Sequence, residues 1–137
     1  MKALSVLQPW AELLVLGHKR YEFRSWKTAH RGPLLIHASS RFPESARALC
    51  HIKYIREHLA DGGIAHPTDL YLGAILGAVV LEDCIPAEQV LFERPDELEQ
   101  MLGDFRPGQW AWKTSCPVRL PRPLPFPGRL GLFEVPL

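Results

Sequence analysis

Residues 4–39, LSVLQPWAELLVLGHKRYEFRSWKTAHRGPLLIHAS, decide how this chain is built. Lys2 to Leu7 reads as a short strand. Gln8-Pro9 then opens a helix, because a proline's missing N–H is no loss in the first turn. Trp10, Leu13 and Leu14 give that helix an apolar stripe, and Gly17 is its natural stop. From His18 to Trp26 the pattern alternates. Tyr21 and Phe23 fall on one face of a strand, and Glu22, Arg24 and Trp26 on the other. After the Gly32-Pro33 break a second strand places Leu34, Ile36 and Ala38 on one face and Leu35, His37 and Ser39 on the opposite one. A carboxylate, a guanidinium and an indole side by side suit the wall of a ligand cleft. His37, read alone, fits a satisfied core histidine better than a ligand.

Beyond this window the elements are shorter. Residues 40–59 read as one helix, capped by Ser39 or Ser40 and ended by Gly62-Gly63, and a loop runs on to Tyr71. The apolar run Gly73 to Cys84 reads as a central strand of a curved sheet. Two short helical pieces, Pro86 to Phe92 and Pro95 to Leu102, are acidic and predict a solvated face. Gly108 to Cys116 reads as a strand with Trp110 and Trp112 on one face. Prolines at 121, 123, 125 and 127 predict an extended edge or wrap-around loop over Val118 to Gly128. Leu130 to Val135 closes the chain as a strand. There is no internal repeat and no linker. The fold class expected is α+β: a small mixed or antiparallel β-barrel with peripheral helices, all of residues 1–137 in one domain.

The chain has 137 residues, 47% of them apolar and 23% charged, which predicts a globular domain with its own core. No run is long enough to span a membrane, and no leader pattern is present, Leu13 to Leu16 being far too short for either, so a cytoplasmic protein with no membrane partner is expected. Cys50, Cys84 and Cys116 are odd in number and lie outside any C-x-x-C pattern. They read as free thiols packed as small apolar groups, with no metal site and no cofactor. Net charge is +1, but residues 1–60 hold ten Lys/Arg against four acids, while residues 61–105 hold one against ten. A basic N-terminal third fits an anionic partner, nucleic acid first.

Leu4-Ser5 with Gln8-Pro9-Trp10-Ala11, then Gly17-x-Lys19-x-x-Glu22-x-Arg24-Ser25-Trp26, then His30-Arg31-Gly32, together resemble the ASCH (activating signal cointegrator homology) domain, a branch of the PUA-like barrels. Gly73 to Cys84 is similar to that family's later glycine-bearing strand with its acidic-Cys ending. The resemblance implies a PUA-like barrel and a cleft lined by Lys19, Glu22 and Arg24. It also implies nucleic-acid binding, to RNA or DNA. Some small relatives are hydrolases, acting on acetylated cytidine or on RNA. Lys19 matches the lysine of the former, but Glu22 stands where they carry threonine, which removes the hydroxyl.

Two functions follow as expectations. The first is a nucleic-acid-binding module for a single-stranded or flipped nucleotide. Its candidate residues are Gln8, Trp10, Lys19, Arg20, Glu22, Arg24, Trp26, Lys27, Arg31, His37, Ser39, Arg41 and Trp112. In it, Arg24 and Lys19 would hold an oxygen, a tryptophan would stack a base, and Arg20, Lys27, Arg31 and Arg41 would meet outer phosphates. The alternative is a small hydrolase, a ribonuclease or modified-nucleoside amidohydrolase, in which Lys19 and Glu22 would activate water.

Overall fold

The computed structural model describes residues 1–136. Six strands form one mixed sheet: β1 Lys2–Val6, β2 Tyr21–Arg24, β3 Gly32–Ala38, β4 Ala74–Pro86, β5 Trp110–Pro125 and β6 Leu132–Glu134. Their order is β2-β5-β4-β3-β1-β6. Only β1 and β3 run parallel, with Leu4 beside Ile36 and Ser5 beside His37. The sheet curls into a half-barrel, and its β2 end approaches β1, where Arg24 Nη2 donates to the Ser5 carbonyl at 2.8 Å. The fold is therefore the α+β, PUA-like mixed sheet with peripheral helices that the sequence predicts.

Alternation decides what fills the barrel. Leu4, Val6, Leu34, Ile36, Ala38, Leu76, Val79 and Leu81 pack inside around Trp112, beneath Ala11, Leu14 and Val15 of α1 (Trp10–Leu16). Gly17 ends α1 in the left-handed conformation, with φ 83°. On the other side of β2, Tyr21 meets Val90 and Ala111, with Phe23 and Phe105 against them. So both faces of β2 are covered, and Glu22 shares the barrel side with Trp112, its cross-strand partner. A third cluster joins α1 through Leu13 to α3 (Lys53–Asp61) and α4 (Glu97–Leu102), through Ile55, Leu59 and Leu98.

Three expectations need correction. The helix expected over 40–59 is two, α2 (Glu44–Leu49) and α3, because the chain turns extended at Ile52 (φ −67°, ψ 124°) before restarting. The acidic segment is not wholly solvated, because Leu98 and Glu99 of α4 are buried. The proline-rich stretch is the extended edge expected, and its ladder with β4 breaks at residues 120–123, which have no partner there. β5 runs on to Pro125, with Leu124 beside Ile75 and Arg119 beside Gly77. β2 pairs only with residues 110–113 of β5, so beyond them β5 has a neighbour on one side alone. The prolines remove N–H donors along this open edge, which makes it a poor template for further strand pairing. Among the cysteines, Cys50 is buried and Cys84 packs half-buried against the barrel core, but Cys116 is exposed, so it alone departs from the packed apolar group expected of all three.

Gly77 sits where the backbone of β5 lies close against β4. A Cβ there would overlap the Val118 carbonyl oxygen and crowd Arg119 Cα, and both obstacles are backbone. Gly77→Ala should cost about 3 kcal/mol or more, since only a strand shift relieves the overlap. Urea unfolding measures this, and a cost below about 1 kcal/mol would mean the strand pair yields easily.

Candidate nucleic-acid interface

The half-barrel leaves a cleft of about 880 Å³ at its open seam, lined by the end of β1, by β2, by the turn after β3 and by residues 128–131. A cavity of this size holds one small ligand or a single nucleotide unit. Trp10 and Trp26 are its half-buried aromatic walls. Trp26 stands edge-on to Trp112, with ring centres 4.8 Å apart.

The polar groups of the cleft are held in two pairs. Arg24 grips Glu22 Oε2 through Nη2 at 2.8 Å and Nε at 3.0 Å. Lys19 is 1% exposed and its Nζ donates to Glu99 Oε2 at 3.1 Å, while lying 4.8 Å from the centre of the Phe23 ring. Glu99 also accepts from the backbone N–H groups of Arg20 and Tyr21, so its carboxylate fastens α4 to the start of β2. Asp96, three residues earlier, caps α4 by accepting from Glu99 N at 2.9 Å. Behind this junction the Tyr21 hydroxyl donates to Glu93 at 2.7 Å. Burial, then the Glu93 carboxylate beside it, push the Tyr21 phenol well above its ordinary range.

His37 forms part of the floor. Its Nε2 lies 2.6 Å from the Phe126 carbonyl and therefore carries a proton, since a carbonyl only accepts. Nδ1 meets Ser5 Oγ at 3.0 Å. Both ring nitrogens are engaged and the ring is 1% exposed, as a satisfied core histidine would be.

The structure brings Trp10, Lys19, Glu22, Arg24, Trp26, His37, Ser39 and Arg41 to this one cleft. It takes the others elsewhere. Gln8 is fully buried: its Oε1 accepts from Glu12 N and its Nε2 donates to the Tyr71 carbonyl, so it ties α1 to the loop before β4. Trp112 is also fully buried, with Nε1 donating to the Trp26 carbonyl at 3.0 Å, and has no face free for a base. Arg20 lines a separate, smaller hollow with Thr114 and Cys116. Lys27 covers the Trp110 ring at 4.5 Å. Arg31 donates to the Thr28 and His30 carbonyls and pairs with Asp83 at 3.4 Å.

Sequence reasoning missed Glu99, Ser5, Asp104 and the segment Gly128-Arg129-Leu130-Gly131. The Asp96-x-x-Glu99 spacing is a capping signature that was available, but it says nothing of burial. The 128–131 segment reaches the cleft only because Gly128 lies flat on His37, where a Cβ would come within 2.7 Å of the ring. Arg41 and Arg129 are exposed at the mouth, and neither makes an ion pair among the described residues. Among those residues no three His, Cys, Asp or Glu side chains converge as metal ligands. No helix among them is long and apolar enough to cross a membrane.

Residues 4–110 match the family model of the ASCH domain. Activating signal cointegrator 1 of Homo sapiens is 42% identical over 102 residues, which is 74% of this chain and 17% of that protein. Its Mus musculus counterpart is 41% identical over the same share of each. The chain thus spans only 17% of the length of these curated relatives. The crystal structure of an ASCH protein from Zymomonas mobilis superposes with a TM-score of 0.57, covering 98% of this chain and 87% of that one at 14% identity. At that identity the likeness speaks for the fold alone.

Proposed function

The chain belongs to the ASCH domain family, and on that premise we propose that its cleft binds a nucleotide unit of RNA or DNA. The observation that carries this reading is the division of labour in the cleft. Lys19 and Arg24 are neutralised by Glu99 and Glu22, whereas Arg41 and Arg129 at the mouth are exposed and have no acidic partner among the described residues. Free guanidinium groups outside, aromatic walls from Trp10 and Trp26, and acceptors at Glu22 and Ser5 inside suit a phosphate at the mouth and a base within. Glu22 offers a carboxylate edge to base amino groups, and the two indoles offer stacking faces.

Hydrolysis by Lys19 and Glu22 draws less support. Each already holds a close partner of opposite charge, and both nitrogens of His37 are engaged.

Labelled DNA and RNA oligonucleotides titrated at 50 and 200 mM salt test the reading. Binding should weaken steeply with salt, each phosphate contact contributing about 0.7 to 0.9 to the slope of log K against log salt. Changing Arg41 and Arg129 together to alanine should flatten that slope by about 1.4 to 1.8, the contribution of two phosphates. Absence of binding at low salt refutes the proposal, and an unchanged slope in the double variant removes these two arginines from it.

A further inference from the structure

Leu130 is the most exposed large apolar side chain among the described residues, at 100%, and it stands at the mouth of the cleft. Its surroundings are firm. Phe126 stacks on Phe133 with ring centres 6.3 Å apart, its carbonyl accepts from His37, and Gly128 rests on the His37 ring. After Leu130 the chain turns at Gly131, φ 66°, into β6. Thus a short segment anchored at both ends presents one bare leucine, directly after Arg129, which has no ion-pair partner among the described residues.

A fully solvated leucine contributes nothing to this fold, and exposed apolar atoms cost solubility. It fits a partner that can receive it. Beside a cleft that takes one base unit and a guanidinium placed for phosphate, the receiving partner is a base stack. Proteins that kink or open nucleic acid insert leucine-like wedges between neighbouring bases in this way. Removing one nucleotide from a stack leaves a gap at the step it vacated, and an apolar side chain in that gap offsets part of the lost stacking.

Resting on the binding function proposed above, we infer that Leu130 is a wedge. It enters the base stack beside the nucleotide held in the cleft while Arg129 clamps the adjoining phosphate. This makes Leu130 a positioning residue for an extruded nucleotide, and it makes a base stack, in preference to an isolated nucleotide, the ligand of the domain.

A duplex carrying a single 2-aminopurine tests it, in a DNA and an RNA version, because the fluorescence of this base rises when it leaves the stack. At saturating protein and low salt the unaltered chain should raise the signal several-fold in at least one of the two. Leu130→Ala should still bind, through the unchanged arginines, but should lose most of that rise, whereas Leu130→Met should keep it. Since the side chain is solvated, neither substitution should alter the urea unfolding midpoint. A rise of equal size with Leu130→Ala would overturn the wedge, and so would tight binding of both duplexes by the unaltered chain with no rise. These results leave the binding function standing. Failure to bind any oligonucleotide at low salt would overturn both.

Discussion

Glu99→Ala should destabilise the domain by about 3–5 kcal/mol, the range found when one partner of a buried ion pair is removed. The carboxylate is 3% exposed and receives three donors: Lys19 Nζ and the backbone N–H groups of Arg20 and Tyr21. Its loss strands an ammonium that is itself almost wholly buried, and orphans two peptide donors at the start of β2. Glu99→Gln should be milder, because the amide oxygen can still accept, although the attraction to Lys19 falls to that of a neutral acceptor. Urea unfolding of both variants measures the difference. A cost below about 1 kcal/mol for Glu99→Ala would show that Lys19 swings to water and that α4 is not fastened through this pair. One consequence concerns function. Lys19→Ala should be destabilising for the same reason, so lost activity in that variant is no evidence of a catalytic lysine unless its folding is measured alongside.

The second large effect is expected at Trp112. Its indole is fully buried among Leu4, Val6, Leu34, Ile36 and Leu81 and donates to the Trp26 carbonyl. Trp112→Ala removes the largest side chain of the barrel interior and should cost about 3–5 kcal/mol, the usual penalty for emptying a core aromatic site. Trp112→Phe should recover much of it while leaving the Trp26 carbonyl unpaired, so a residual loss of about 1–2 kcal/mol is expected. Near-native stability of the alanine variant, with weakened binding to an oligonucleotide, would instead restore Trp112 to the ligand-contacting set. Trp10→Ala is the contrasting case. Half-buried at the cleft, Trp10 should lose about 1–3 kcal/mol of binding if it stacks a base, with a smaller loss of stability than at Trp112.

Local order along the window from Leu4 to Ser39 was legible because it rests on periodicity. Alternation in YEFR and LLIHA separates two faces of a strand whatever lies on either side, and the strands and α1 formed as that spacing predicts. The same rule could not say which face was the interior. Tyr21 and Phe23 have the aromatic character of a core face, yet the barrel interior lies on the Glu22 side, and the aromatic pair packs against the segment containing Val90 and Phe105. Two covered faces look alike in composition, and only the curl of the sheet tells the inside from the outside.

The cleft divides along the same line. Trp10, Lys19, Glu22, Arg24, Trp26, His37, Ser39 and Arg41 come from adjacent elements and were visible as a cluster. Gln8 and Trp112 resembled ligand-binding residues because amides and indoles serve both uses, and whether such a group faces solvent or carbonyl oxygen depends on long-range packing. Glu99, Arg129 and Leu130 were invisible. Glu99 stands 80 residues after Lys19 in the chain, and no local pattern announces that one acid of an acidic run will be drawn inside to meet it.

By itself the sequence determined the strands, most of the helices and the resemblance to the family, since these depend on residue type and short spacing. The tertiary structure alone decided which charges are free. It closed Lys19 with Glu99 and Arg24 with Glu22, left Arg41 and Arg129 without an acidic partner among the described residues at the mouth, and set Leu130 beside them. The reason is physical: pairing and desolvation depend on distances of a few ångströms between residues remote in the chain, and those distances exist only after the sheet has curled.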